Sequence, residues 1–361
     1  MLLIGVLKVI GDFAMGEVLN FGVIGVGVIG SSHLQALMKQ KNAKVTAIAD
    51  IKEEVLKAVA EKFGVKKCFK DYRDLLALNE LDAVVVSTPP FNHAEITCDA
   101  AEAGKHVLCE KPMAMNSKEA ARMVKACNKA GVKLGICSSR FKLTPPAEMA
   151  KQYITEGKVG RVYYARFTSI RRRGRPGIDI LKGSKWFLDS SKAGGGALID
   201  IGCYDIDLAL YFLGDPQPLS VSAMTFKGVG RQLKLKVKYD VEEHSSAFVR
   251  FKDGSVVSFE TAWAANVTPY REILIFGSKG GLKLNPFTYF TEKGGRGMAL
   301  SYDLGVDWNA IQNLLVEDFI KACLEDGLPK TAGETGLKIM QIIDMAYKSA
   351  KIHREVRMDE M

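Results

Sequence analysis

Between Phe21 and Cys137, short apolar runs alternate with stretches whose apolar residues recur every three or four positions. FGVIGV (21–26), VTAIAD (45–50), LDAVVVST (81–88), HVLCE (106–110) and VKLGIC (132–137) read as strands. KEEVLKAVAEKF, HAEITCDAAEAG and SKEAARMVKACNKAG (117–131) read as the helices between them. The strand runs are continuous rather than alternating, which is the pattern of strands covered on both faces. Strand–helix alternation of this kind predicts a parallel sheet with helices on both sides, over residues 16–140. After about residue 140 the pattern changes. A helix near 145–156 and a strand, VGRVYYARFTSI (159–170), precede three glycines (194–196) and another helix. From 217 to 292 come successive strands, LSVSAMTF, SSAFVRF, SVVSFETAWA, YREILIFG and GGLKL, with KDGS (252–255) as a hairpin turn. Two helices, near 309–325 and 333–352, end the chain. Residues 141–361 thus read as an α+β domain with a largely antiparallel open sheet, whose last helices can pack back on the first domain.

Composition narrows the function classes. The chain has 361 residues, enough for two domains, and 47% of them are hydrophobic. Seven cysteines, an odd number without a CxxC pair, favour reduced thiols and a cytoplasmic location. Five histidines and those cysteines form no ligand-spaced cluster, so no metal is expected. The formal charge is +9, but the basic residues are scattered apart from RRRGR (171–175). No nucleic-acid-binding module is visible, so the charge implies solubility and a mild attraction for anions. Residues 1–15, MLLIGVLKVIGDFAM, are apolar. Lys8 sits mid-run, no cleavage site follows, and the run is too short to span a bilayer. They read as an extension, either an upstream start or an arm packing on the body, and no membrane is expected as a partner.

Gly25-Val26-Gly27-Val28-Ile29-Gly30 is a GxGxxG that follows a strand and opens a helix, and Asp50 ends the next strand twenty residues past Gly30. Gly25 makes the tight turn, Gly27 admits a pyrophosphate, and Gly30 lets helix and strand pack closely. The helix begun by Val28 and Ile29 turns its N-terminus to the anion. Asp50 accepts from the ribose hydroxyls and repels a 2′-phosphate, so NAD is favoured over NADP. These features make the first domain a Rossmann-type doubly wound sheet. At the next strand end, Thr88 and Pro89 lie along the cofactor and Asn92-His93 start a helix. His93 reads as satisfying backbone groups there rather than as a catalyst. Glu110-Lys111-Pro112 closes a further strand and points Lys111 into the cleft beside the nicotinamide.

In GGGALIDIGCYDIDLALY, Asp200, Tyr204 and Asp207 are spaced four and three apart, on one face of a helix. Oxidising a secondary alcohol sends a hydride to nicotinamide and a proton to a base. A free tyrosine, with a pKa of about 10, is a poor base at neutral pH. A neighbouring Lys111 ammonium favours phenolate and stabilises a growing alkoxide, so oxidation is expected above neutral pH. The arginine loop, with Arg172, precedes Trp186. It either walls the substrate cleft or is a solvated or subunit-contact loop, and Trp186 either stacks on a sugar or packs at the domain boundary.

GVGVIG, STPPFNHAEI, AGKHVLCEKP and GGGALIDIGCYDIDLALYFLG together resemble the family of glucose–fructose oxidoreductase, inositol dehydrogenase and a rhizopine-catabolism protein (Gfo/Idh/MocA), over nearly the whole chain from residue 16. The resemblance implies an NAD(P)-dependent oxidoreductase acting on a secondary hydroxyl or ketone of a sugar, cyclitol or sugar derivative. It implies that Lys111 assists hydride transfer, Asp200 orients substrate and the acid–base group, and Asp207 contacts substrate or that group. The family usually has histidine where this chain has Tyr204, though some members use tyrosine. Arg140 matches one arginine of a stretch near the cofactor, with Ser139 in place of the other. A homodimer or homotetramer is implied. Two other readings stay open: redox-assisted glycoside hydrolysis with retained NAD, and a non-catalytic dinucleotide-binding regulator.

Overall fold

The apolar runs of the first half pair as parallel strands. The computed structural model describes residues 18–229 and 237–361, so the apolar stretch 1–15 lies outside the described residues. Strands β1 (Leu19–Ile24), β2 (Ala43–Ala49), β3 (Lys67–Phe69), β4 (Ala83–Val86), β5 (His106–Cys109) and β6 (Leu134–Ile136) form one sheet in the order β3-β2-β1-β4-β5-β6. All the pairings are parallel. Every residue of β4 is fully buried, as its unbroken apolar run requires. Strand order reverses between β1 and β4, which opens a crevice at the strands' C-terminal ends. The glycine loop, the 88–93 turn and Lys111 all leave the sheet at that edge. The three-residue β3 was not legible in the apolar pattern, because its residues are half exposed at the sheet edge.

A second, nine-stranded sheet carries the later part of the chain. It comprises β7 (Val162–Ile170), β8 (Pro218–Phe226), β9 (His244–Phe251), β10 (Val256–Ala262), β11 (Tyr270–Gly277), β12 (Gly281–Leu284), β13 (Phe287–Lys293), β14 (Arg296–Tyr302) and β15 (Val356–Arg357). Its order is β14-β13-β12-β11-β7-β10-β9-β8-β15. Only β7 and β10 pair in parallel, because the whole glycine turn and its helix intervene between β7 and the β8–β10 meander. Helices Pro145–Thr155, Cys203–Leu213 and Gly333–Ile352 cover one face. On the other face Met224, Phe226, Phe248 and Phe290 are exposed. The cross-strand register places them on that one face, from β8 to β13.

The last long helices return to the parallel sheet. Helix Trp308–Leu324 sets Phe319 edge-on to Phe21, with ring centroids 6.4 Å apart. Each such fully buried side chain contributes about 1.5–3 kcal/mol. The triple-glycine turn is held by Glu242. Its carboxylate accepts from Gly196 N (2.8 Å), Leu198 N (2.9 Å) and the Tyr347 hydroxyl (3.0 Å). A Cβ on Gly196 would lie 1.9 Å from the Glu242 carbonyl oxygen. Gly196→Ala is therefore expected to lower unfolding free energy by about 1–3 kcal/mol, read as a shift in the denaturant midpoint. An unchanged midpoint would show that the turn can open without cost.

Candidate active site

The cofactor edge is built from backbone. Gly25 has φ +83°, and a Cβ on Gly30 would lie 2.0 Å from the Gly25 carbonyl oxygen. The close strand–helix approach therefore requires both glycines. Gly27 is different: its φ of −65° suits any residue, and a Cβ there would meet nothing within 4 Å. The space in front of the helix Val28–Leu37 is open. Its N-terminus has no side-chain cap and no acid in the first turn, and Val28 is 85% exposed. Free N–H groups, the positive end of the helix and an open cradle fit a pyrophosphate. Asp50 Oδ2 accepts from Val26 N and Oδ1 from Lys52 N, both at 2.9 Å. The carboxylate is thus fixed beside the loop, with lone pairs left for ribose hydroxyls.

His93 is buried between two strand ends. Its Nε2 lies 2.8 Å from the Thr88 carbonyl and its Nδ1 2.9 Å from the Pro112 carbonyl. Burial lowers its pKa against the pull of the two carbonyls, and the ring, which as a neutral imidazole donates to only one of them, sits wedged between the Thr88-Pro89 turn and the Lys111-Pro112 turn. Asn92 is half-buried at the start of that helix.

Two short chains of polar contacts meet at the crevice. In the first, Lys111 Nζ donates to Asp200 Oδ1 (2.6 Å) and to the Asp200 carbonyl (3.0 Å), while Trp263 Nε1 donates to Asp200 Oδ2 (2.9 Å). Asp200 sits in a π-helical turn, Leu198–Gly202, that runs directly into helix Cys203–Leu213. In the second, Arg140 donates from Nη1 to the Tyr204 hydroxyl (2.9 Å), from Nη2 to Glu110 Oε1 (2.7 Å) and from Nε to Gln312 Oε1 (3.2 Å). Glu110 also meets His33 Nε2 at 2.8 Å. Lys111 Nζ stands 4.9 Å from the centre of the Tyr204 ring.

The charges follow from these contacts. Burial opposes the Lys111 charge, but the Asp200 carboxylate outweighs it and holds the ammonium above its ordinary range. Burial likewise opposes the Glu110 charge, yet Arg140 and His33 keep that carboxyl well below the ordinary range. For Tyr204 burial wins: its pKa is raised above 10.0, although Lys111 and Arg140 both pull it down. The expectation that Lys111 leaves a net lowered tyrosine is corrected here. The lysine acts in the expected direction, but desolvation of the phenolate is larger.

Lys111, Asp200 and Tyr204 line a cavity of about 640 Å³. Its other walls include Phe141, Phe187, Tyr270, Trp308, Arg171 and Arg271. Phe141 packs edge-on to Tyr204 (4.6 Å) and to Trp308 (5.3 Å). Three expected substrate contacts lie elsewhere. Asp207 is one turn deeper on the same helix, below the cavity floor. It is fully buried, 2.6 Å from Lys142 Nζ, and accepts from Ser138 (2.6 Å) and Thr331 (2.7 Å). Trp186 stacks on Phe187 with centroids 3.8 Å apart, and Phe187 is the ring on the cavity wall. Arg171 and Arg172 are both exposed, and Arg171 is the one that lies on the cavity wall. Arg271 and Trp308 had no sequence signal; only the fold brings a strand residue and a distant helix start to the same cleft.

His33, Glu110 and Cys137 lie with ligand atoms within 4.8 Å of one another, a cluster their sequence spacing hid. The Arg140 guanidinium donates to Glu110 Oε1, the same oxygen that meets His33, and burial pushes the Cys137 thiol up.

A glycine-loop sheet, an open anion cradle, and a lysine and tyrosine sharing one cavity define a nicotinamide-dependent oxidoreductase. Residues 19–137 match the oxidoreductase family with an NAD-binding Rossmann fold, and residues 147–283 match the GFO/IDH/MocA C-terminal domain. The chain belongs to the Gfo/Idh/MocA oxidoreductase family. It is 29% identical to D-glucoside 3-dehydrogenase of Escherichia coli, over 94% of this chain and 97% of that protein. It is 28% identical to myo-inositol 2-dehydrogenase of Thermotoga maritima, over 95% and 99%. Among solved structures it is similar to levoglucosan dehydrogenase in complex with NADH and L-sorbose, with a TM-score of 0.86, 26% identity, and coverage of 95% and 99%.

Gly27→Ala separates the cradle from the fold. Stability is expected to stay within about 0.5 kcal/mol, while NAD binding, followed by calorimetry, is lost because the new methyl occupies the pyrophosphate's place. Unchanged NAD affinity would show that the cofactor lies elsewhere.

Proposed function

We propose that the protein interconverts a secondary hydroxyl and a ketone of a sugar, cyclitol or sugar derivative, with NAD as the hydride carrier. The observation that carries this reading is the convergence of Lys111 and Tyr204 on one cavity beside the glycine-loop edge. The relatives' named substrates, a glucoside, an inositol and levoglucosan, support the sugar or cyclitol class. The aromatic wall of Phe141, Tyr270 and Trp308 suits the apolar face of such a ring.

Bound nicotinamide supplies or accepts the hydride. The chain's residues manage the proton and the charge on oxygen. Lys111, kept charged by Asp200, donates to the reacting oxygen, whose negative charge grows during oxidation. Tyr204 takes the hydroxyl proton as phenolate or returns it as phenol. Arg140, donating to the Tyr204 oxygen at 2.9 Å, stabilises the phenolate form. Trp263 fixes Asp200, and so the lysine, in orientation.

The remaining parts of the reading concern setting. Met224, Phe226, Phe248 and Phe290 on the open sheet face support pairing with a second copy of this chain. Seven unpaired thiols, and the lack of a helix long and apolar enough to cross a membrane among the described residues, support a reducing, cytoplasmic setting.

Tyr204→Phe is expected to lower kcat about 10²–10⁴-fold in both directions, with NAD affinity kept. Nicotinamide absorbance with a panel of sugars and inositols measures it. The pH dependence follows from the sign of the tyrosine's shift. Because its pKa is raised above 10.0, phenolate is scarce at neutral pH. The oxidation rate should therefore climb about tenfold per pH unit from neutral past pH ~10, while ketone reduction stays flat across neutrality. Arg140→Met removes one stabilising cation and should move the oxidation limb to higher pH. A limb that does not move in Arg140→Met, or a pH-independent oxidation rate, would remove Tyr204 from the proton's path.

A further inference from the structure

The cavity's charge is unbalanced in a way that a neutral sugar does not use. Asp200 is the one carboxylate on its wall among the described residues, and Lys111 already pairs with it. Arg271, also on the wall, pairs with buried Asp205 at 2.5 Å. Among the described residues Arg171 pairs with no acid: its Nη1 makes a single 3.4 Å contact with the Gly174 carbonyl. Between residues 171 and 187, which supply much of this wall, the chain carries six cationic side chains and one acidic one.

Arg171 does not hang on a loose loop. Its backbone N donates to the Ala262 carbonyl (2.9 Å), and Gly174 N donates to the Trp263 carbonyl (2.8 Å). The loop is thereby sewn to the strand end that carries Trp263, the partner of Asp200. Arg175 pins the far side, bonded to Asp179 at 2.8 Å and to Glu243 at 3.0 Å. The stem of Arg171 lies over Gly174, where a Cβ would come within 2.7 Å of its Cδ. The fold thus holds at the cavity wall an exposed guanidinium that no acid among the described residues neutralises, with most of the donors of its planar fork unused. That fork matches the oxygens of a carboxylate or phosphate.

We infer that the substrate is an acidic sugar or cyclitol derivative, whose anionic substituent, a carboxylate or a phosphate, is received by Arg171 while its secondary hydroxyl is received by Lys111 and Tyr204. This rests on the proposed dehydrogenase reading and narrows its substrate class. The positive loop around Arg171 attracts such a substrate from solution.

The test uses the full-length protein saturated with NADH and two matched series: D-glucose, D-glucuronate and D-glucose 6-phosphate, and the corresponding galactose compounds. Binding is read by calorimetry, without turnover. In at least one series an acidic member should bind about tenfold tighter or more than its neutral parent, and which acid wins distinguishes carboxylate from phosphate. Arg171→Gln should collapse that ratio, and Arg171→Lys should restore part of it. In the unsubstituted protein, raising salt from about 20 to about 500 mM should narrow the ratio, because screening weakens the contact. Neutral sugars binding as tightly as the acids, or no acid binding at all, would overturn the inference. So would a ratio that survives Arg171→Gln. The dehydrogenase reading is judged separately: it fails if sugars bind but none of them, acidic or neutral, reduces NAD.

Discussion

The ion pair between Lys111 and Asp200 joins the two sheets at the wall of the cavity. Lys111 ends a strand of the parallel sheet, and Asp200 starts the helix of the second region. Their 2.6 Å contact is largely, not fully, out of solvent. Burying two charges costs several kcal/mol per ion unless geometry and further hydrogen bonds offset it. Here the Asp200 carbonyl adds a second acceptor for the lysine, and Trp263 satisfies the other carboxylate oxygen. The Glu242-bound glycine turn then fixes where the helix begins. The position of the Lys111 ammonium thus depends on contacts drawn from three separate stretches of chain.

The surroundings of residue 204 suit a tyrosine better than a histidine in the proposed acid–base role. A histidine base becomes a cation when it accepts a proton. A tyrosine base starts as an anion and ends neutral. Arg140 donates to the oxygen at 2.9 Å and Lys111 stands 4.9 Å from the ring. Two fixed cations oppose an imidazolium and favour a phenolate. Burial still outweighs them, so the resting group is the phenol. This arrangement suits a proton donor at neutral pH and a base in alkali.

Much of this was readable from the chain, for physical reasons that also mark where reading stopped. The parallel sheet and glycine loop follow from local sequence, since strand burial, tight turns and helix starts are local demands. Lys111 was legible because a strand end in an open sheet faces the crevice. Asp207 misled because helical spacing gives the side of a helix but not the depth of the cavity floor. The 200–207 face passes from cavity to core within one turn, where Lys142 and Thr331 receive it. Trp186 and Arg172 each missed by one residue, since a loop carries no period to say which neighbour turns inward. The sign of the tyrosine's shift needed the extent of burial, which no spacing supplies.

The glycines of the cofactor loop separate two kinds of constraint. Gly25 and Gly30 are required by the protein's own backbone, which leaves no room for a Cβ. Gly27 meets open space among the described residues and has a negative φ, so no contact inside the described chain demands it. A residue that the fold does not need, at an uncapped helix start, is accounted for by what binds there. The same logic applies to Arg171 at the other end of the site. Its stem is held in place while its charge is left unanswered. In both places the chain offers half of a proposed contact, an open cradle for one anion and, for another, a guanidinium with no acid partner among the described residues. Lys111 and Tyr204, proposed to share one reacting oxygen, line the same cavity as Arg171.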